Sequence, residues 1–121
     1  MKVVKKMSGL PKEPAVSALF TGDVSRQVVF QPNDGQTFNF GIVSFSAHSR
    51  NKFHKHSSDQ ILVVTEGTGV VATDNEEQTV TAGDVVLIPA GENHWHGAPG
   101  DTPMAHIAIT AKGSQTTQTE P

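Results

Sequence analysis

The sequence predicts an all-β fold of short antiparallel strands that close into a barrel or stack as two sheets. Its eleven glycines and seven prolines fall in clusters about every eight to twelve residues, a rhythm typical of β-sandwiches and barrels. Between the clusters lie segments rich in Val, Ile, Phe and Thr, and no window has an apolar stripe at helical spacing. Closure is favoured because an open sheet of so many strands would expose edges that aggregate.

The strands follow one another between turns that contain Gly, Pro, Asn or Asp, the residues that accept tight-turn backbone angles. Phe38-Asn39-Phe40 illustrates the strand alternation, because its two aromatic rings lie on one face. Residues 13–19 are the best helix candidate, but the segment is too short to form a stable helix. The predicted strands are residues 26–30, 37–45, 52–56, 60–66, 69–73, 77–80, 84–89 and 104–110, with turns at 31–35, 66–69, 73–76, 89–93 and 99–103.

A chain of 121 residues has the size of one domain. We place that domain at residues 15–111. Residues 1–14 form an N-terminal arm, either a tail or a strand added to a partner's sheet. Residues 112–121 are polar and low in complexity, and we expect a disordered tail there because they cannot bury enough apolar surface to offset ordering. The free sheet edges and the arm lead us to expect a homodimer.

The composition excludes several classes of function. A formal charge of −3 gives no general attraction to nucleic acid or to an anionic membrane. The chain has no cysteine, which excludes disulfides, thiolate metal sites and a cysteine nucleophile. The longest apolar run, residues 85–88, is too short to span a bilayer. The basic start of the chain lacks the apolar stretch of an export signal, so we expect a cytoplasmic protein that binds a small molecule.

Six histidines are the one compositional excess. His54 and His56 stand at i and i+2, so in a strand both project from the same face. Gln60 begins the next predicted strand, and His94 follows the turn at 89–93. If these elements are neighbours, three imidazoles and one amide oxygen meet in a ligand set suited to a divalent first-row metal. The alternative is an exposed histidine pair, a polar strand start and a solvated loop.

These residues lie in two motifs that resemble those of the cupin superfamily. The first is His54-x-His56, three residues, Gln60, six residues and Gly67; the second is Gly83, five residues, Pro89-x-Gly91, two residues and His94. The resemblance spans residues 54–94 and implies a cupin domain at 15–111, a double-stranded β-helix or jelly-roll barrel. Gly67 and Gly83 stand where we expect tight hairpins that need positive φ.

Three positions depart from the family pattern: Gln60 replaces the usual Glu, His48 the usual Gly, and Ala98 the usual Asn. The first matters for the chemistry. A neutral amide leaves the metal its full charge, so the centre should be a stronger Lewis acid and hold its metal less tightly. The alternatives are that Gln60 points away, leaving three histidine ligands, or that the site is empty.

His96 and His106 are candidate catalytic residues. His96 lies two residues after His94, and His106 interrupts the otherwise apolar strand 104–110. A histidine beside a metal is a candidate general base, because its ordinary pKa of about 6.5 lies near working pH. The alternatives are a hydrogen bond that orients a metal ligand, or an exposed ring.

The segment 90–98 together with 104–109 is similar to small single-domain cupins that include bacterial manganese-dependent hydroxynitrile lyases and carboxymuconolactone-decarboxylase-associated cupins. The resemblance implies a lyase or isomerase-like reaction on a small oxygenated substrate. It implies Mn²⁺ first, with Fe²⁺, Zn²⁺ and Ni²⁺ as alternatives, and a proton exchanged with His96 or His106. A dioxygenase that uses Fe or Mn and a non-catalytic ligand-binding barrel are the competing hypotheses.

Overall fold

The computed structural model describes all 121 residues and confirms the all-β prediction. Twelve antiparallel strands and one short 3-10 turn (Met7–Gly9) make up the chain. The strands are β1 (Glu13–Pro14), β2 (Phe20–Thr21), β3 (Val24–Val28), β4 (Phe38–Phe45), β5 (Ser49–Asn51), β6 (His54–His56), β7 (Gln60–Thr73), β8 (Glu77–Thr81), β9 (Val85–Ile88), β10 (His94–Ala98), β11 (Met104–Ala111) and β12 (Thr116–Gln118). None of the chain's elements is a helix with the length and apolar character that a membrane span requires.

The strands form two facing sheets that share β7. The first sheet runs β1-β3-β4-β11-β7-β9. In the second sheet, the C-terminal half of β7 pairs with β8 along one edge and with β10 along the other. The outer edge of β10 pairs with β6 at its start and with β5 at its end. Strand β2 pairs with β5, and β12 pairs with β6. Both strands that carry the paired motif histidines, β6 and β10, are therefore neighbours in one sheet.

The core lies between the sheets and is built by the alternation of side chains along each strand. Leu62 and Val64 of β7 point inward, whereas Ile61 and Val63 point outward. The buried cluster draws on both sheets and comprises Val24, Phe45, Leu62, Val64, Val71, Val80, Ile88, Ala98 and Met104. The histidines lie beside this cluster, and Phe45 packs against both His96 and His106.

The predicted turn at residues 66–69 is wrong, because these residues belong to β7, which runs unbroken from Gln60 to Thr73. Gly67 does have the positive φ expected of it, +72°, and so does Gly83, at +98°. At Gly67 the strand bends instead of reversing, and this bend carries it from the first sheet into the second. The glycine therefore serves as a barrel corner, a known use of glycine within strands.

Other element boundaries also differ from the predictions. The predicted strand 52–56 is shorter in the structure, where β6 covers only His54–His56, and a separate strand that was not predicted, β5, precedes it at Ser49–Asn51. Strand β10 was not among the predicted strands, since all five of its residues are buried and show no alternation. The helix candidate at 13–19 is not helical and begins with β1. His48 has a φ of +64°, the region that glycine favours, which explains why a glycine is usual at this place in the motif.

The two terminal segments are both held against the barrel. Strand β1 pairs with β3 of the same chain, with Glu13 opposite Arg26. The prediction of a disordered tail at 112–121 is wrong, because β12 pairs with β6 and Glu120 binds Arg50. The polar composition of this segment does leave it little apolar surface to bury. Here the segment is ordered by backbone pairing and a charged anchor, neither of which needs an apolar side chain.

Candidate metal centre

Three histidines converge where β6 and β10 lie side by side. His54 and His56 project from the same face of β6, and His94 of β10 is directly opposite His54. The ring centroids are 4.3 Å apart for His54 and His94, 4.9 Å for His54 and His56, and 5.3 Å for His56 and His94. Their possible ligand nitrogens all lie within 4.8 Å of one another. The three imidazoles can therefore hold one metal ion.

Hydrogen bonds orient each ring so that Nε2 faces the common centre. Nδ1 of His54 donates to the Lys52 carbonyl at 2.7 Å, and Nδ1 of His94 donates to the Glu92 carbonyl at 2.9 Å. Nδ1 of His56 lies 2.9 Å from the Thr116 hydroxyl. Because a carbonyl only accepts, Nε2 of both His54 and His94 carries a lone pair when the ring is neutral. Nε2 of His56 is buried and has no hydrogen-bond partner, which leaves it available to a metal.

Gln60, the first residue of β7, lies beside this group and is 6% exposed. Its Oε1 is 3.2 Å from Nε2 of His94. Both atoms carry lone pairs in this arrangement, so both can bind one cation. The donor set of three imidazole nitrogens and a nearby amide oxygen fits a divalent first-row metal.

Burial keeps these imidazoles uncharged at neutral pH. It lowers the pKa of His54 to about 4 and the pKa of His56 to about 4, and it also lowers the pKa of His94. Repulsion among the neighbouring rings acts in the same direction for His54 and His56. A neutral ring is the form that binds metal, so the site is ready to do so without first losing protons.

His96 and His106 form a buried pair next to the three rings. Nε2 of His106 is 2.9 Å from Nδ1 of His96, and the two residues are 3% and 0% exposed, so neither is an exposed ring. Their rings pack against Phe45. The His96 ring centroid lies 5.6 Å from that of His94 and 5.7 Å from that of His54. The pair therefore lies directly beside the metal-binding group.

A cavity of about 710 Å³ opens onto the candidate centre. His56 and Gln60 line it, whereas His96 and His106 do not. Its other walls include four aromatic rings, and Arg26 and Lys112 are its two cations. No carboxylate lines it. The aromatic side chains are Phe20, Phe30, Phe38 and Phe40. A small molecule with an aromatic part fits these surroundings.

Three residues of the site carried no signal in the sequence. Asn51 accepts the backbone N–H of His96 at 2.8 Å, Thr116 contacts His56, and Glu120 binds Arg50. The Arg50 guanidinium also stacks on the Trp95 ring, 4.5 Å from its centroid. These contacts join residues 45 to 70 positions apart, and no local pattern reveals them.

The cupin domain family profile matches residues 41–110. The chain belongs to the cupin family. This cupin is 37% identical over 91 residues to an (R)-mandelonitrile lyase from Granulicella tundricola, an alignment that covers 74% of the chain and 70% of that enzyme. It is 32% identical over 57 residues to a gentisate 1,2-dioxygenase from a Ralstonia species, covering 46% of the chain and 16% of that enzyme.

Among solved structures, this cupin is similar to a cupin-like protein from Thermotoga maritima. The TM-score is 0.81 and the identity 29%, over 88% of this chain and 84% of the other. The match supports the jelly-roll architecture implied by the two motifs.

Burial of His106 predicts that the metal-free protein loses stability in mild acid. Burial lowers the pKa of His106 to about 4, whereas the unfolded residue titrates near 6.5. The unfolded chain therefore binds more protons below pH 6.5, and stability is lost as the pH falls from there towards 4. The loss from His106 should be on the order of 3 kcal/mol. Urea unfolding at several pH values should show that the free energy of unfolding falls more steeply with decreasing pH in the natural protein than in His106→Leu. An equal dependence on pH in the two proteins would contradict the prediction.

Proposed function

We propose that this cupin is a metal-dependent lyase acting on a small hydroxyl-bearing molecule. The metal would be held by His54, His56 and His94, with Gln60 as the fourth ligand. Mn²⁺ is the metal we expect, with Fe²⁺, Zn²⁺ and Ni²⁺ as alternatives. The observation that carries the proposal is the orientation of the three imidazoles, whose Nδ1 atoms are all occupied and whose Nε2 atoms face one centre beside a cavity.

The bound metal supplies Lewis acidity, which lowers the pKa of a substrate hydroxyl. Gln60 contributes an oxygen without a negative charge, so it does not weaken this effect as a carboxylate would. The chain's own part is to present neutral imidazoles, to orient the substrate against aromatic walls, and to accept a proton. His96 and His106 are the candidates for the last role, because the pair lies beside the ligand rings, although it does not line the cavity. Burial lowers the pKa of both rings, which keeps them neutral but also makes them weak bases.

The similarity to a mandelonitrile lyase favours an aromatic cyanohydrin as substrate. In that cleavage the bond between the hydroxyl-bearing carbon and the nitrile carbon breaks, and its electron pair leaves with cyanide. The hydroxyl proton passes to a base and is returned to cyanide, so the products are an aldehyde and hydrogen cyanide. The phenylalanine side chains along the cavity are suited to an aryl ring.

A substrate panel distinguishes this proposal from its competitors. Metal-loaded protein given mandelonitrile should release benzaldehyde without consuming oxygen. Oxygen uptake with gentisate would instead favour a dioxygenase, which the shorter match to the Ralstonia enzyme makes worth testing. Binding of an aromatic alcohol without turnover of either substrate would favour a non-catalytic barrel.

Replacing His106 by leucine should lower kcat for the cyanohydrin by about 100-fold or more, the usual contribution of an acid–base group. The side chain is fully buried and hydrogen-bonded to His96, so its loss leaves His96 without its partner in the proposed proton-accepting pair. Metal content, measured by elemental analysis, should remain unchanged because His106 is not a proposed ligand. A variant with full kcat would remove the pair from the mechanism.

We also propose that the protein is a cytoplasmic homodimer. Val85 and Leu87 are 65% and 64% exposed on the outer face of β9, and β9 pairs only with β7. An apolar face at a sheet edge favours association with a second copy. Light scattering on the purified protein should give twice the chain mass, and a monomer mass would contradict the dimer.

A further inference from the structure

We infer that residues 114–120, called here the closing segment, complete the metal centre, and that Thr116 is the positioning residue for His56. The inference rests on the proposed metal centre. It assigns a role in metal binding to a part of the chain that lies outside both cupin motifs.

The strand that carries two of the three histidines depends on the closing segment for support. Strand β6 pairs with β10 at a single position, His54 opposite His94. Along its other edge it pairs with β12 over its full length, with Thr116 opposite His56 and Gln118 opposite His54. Without β12, β6 would be a three-residue edge strand with most of its backbone unpaired, and such strands are poorly held.

The three metal-facing rings are not oriented in the same way. His54 and His94 each donate from Nδ1 to the carbonyl two residues earlier in the chain, those of Lys52 and Glu92. His56 has no such local partner and uses the hydroxyl of Thr116, 60 residues away. Two ligands are therefore oriented by their own strands, whereas the third is oriented by the closing segment.

Glu120 anchors the far end of the closing segment. Its carboxylate accepts two hydrogen bonds from Nη2 of Arg50, at 2.9 and 2.8 Å, and one from the backbone N–H of Phe53, at 2.9 Å. The backbone N–H groups of Thr119 and Glu120 donate to the Phe53 carbonyl. Charge-assisted bonds of this kind are the strong ones. The anchor fixes the register that places Thr116 against His56.

The closing segment also forms part of the cavity wall, because Ser114 and Thr116 line it together with His56 and Gln60. A change in its position would alter both the ligand geometry and the shape of the substrate space. This coupling makes metal affinity the direct measure of its role.

The test measures Mn²⁺ affinity of the full chain by competition with a chelator. Thr116→Val keeps the β-branched shape and removes the hydroxyl, and we expect a 10- to 100-fold weaker affinity, as is typical when the hydrogen-bond partner of a metal ligand is lost. Thr116→Ser restores the hydroxyl and should stay within about threefold of the natural protein. Thr117→Val, the neighbouring strand position, is the matched control and should do the same.

Glu120→Ala tests the anchor. It should weaken Mn²⁺ binding. The double variant with Thr116→Val should bind Mn²⁺ no more weakly than whichever single variant binds it less tightly, because both changes disrupt the same set of contacts between Glu120 and His56. Equal affinity of Thr116→Val and the natural protein would overturn the inference and leave the metal centre standing, as would an equal loss in Thr117→Val. Failure of the natural protein to bind Mn²⁺, Fe²⁺, Zn²⁺ or Ni²⁺ would overturn the proposed centre itself.

Discussion

Replacing His94 by alanine should give a folded protein that no longer holds its metal. His94 is fully buried, its ring centroid lies 4.3 Å from that of His54 and 5.3 Å from that of His56, and its Nε2 is 3.2 Å from Oε1 of Gln60. Loss of the hydrogen-bond partner of a ligand alone weakens metal binding about 10- to 100-fold, so loss of a ligand should cost more. The proposed lyase activity should disappear together with the metal.

The fold should survive this change. Truncating one buried side chain costs about 1–3 kcal/mol, whereas domains are stable by about 5–15 kcal/mol. Elemental analysis of the purified variant should find less than about a tenth of the metal in the natural protein, with an unchanged circular dichroism spectrum. His48→Asn is the control, because His48 is exposed outside the site and asparagine tolerates its positive φ. Unchanged metal content in His94→Ala would show that the ligands are wrongly assigned.

Replacing Gly67 by alanine should cost about 3 kcal/mol or more of stability. At φ +72° a side chain is strained by about 1–2 kcal/mol. A Cβ added here would also run into the Pro103 carbonyl, 2.9 Å from its carbon atom and closer still to its oxygen. Both atoms belong to backbone, so neither can rotate away, and forcing extra atoms into such a site typically costs a further 1–3 kcal/mol.

Gly35→Ala separates the clash from the strain. Gly35 has a similar φ, +82°, but no atom lies within 4 Å of the position that its Cβ would occupy. Its substitution should therefore cost only the strain, about 1–2 kcal/mol. Urea unfolding of the two variants and the natural protein measures the difference. If both variants lost the same stability, the close approach of Pro103 at the barrel corner would not contribute.

The local features of this protein were predictable because strands, turns and motif spacings depend on residues that are close together in the sequence. The i, i+2 spacing of His54 and His56 places both rings on one face of a strand, and the structure has that arrangement. The positive φ of Gly67 was also predictable, but its place at a bend within a continuous strand, instead of in a hairpin turn, was not. Whether a glycine reverses the chain or bends a strand between two sheets depends on what the strand meets, here β11 on one side of the bend and β8 and β10 on the other.

By itself the sequence determined an all-β cupin barrel and the histidines that line it, since side-chain alternation and motif spacing act over short distances along the chain. Only the tertiary structure decided how those histidines are held and surrounded. It paired His96 with His106, gave Thr116 to His56 as a partner, and bound residues 114–120 to the barrel through Glu120. These contacts join residues 10 to 70 positions apart through polar groups, and such groups are satisfied only once the chain has folded and brought their partners within reach.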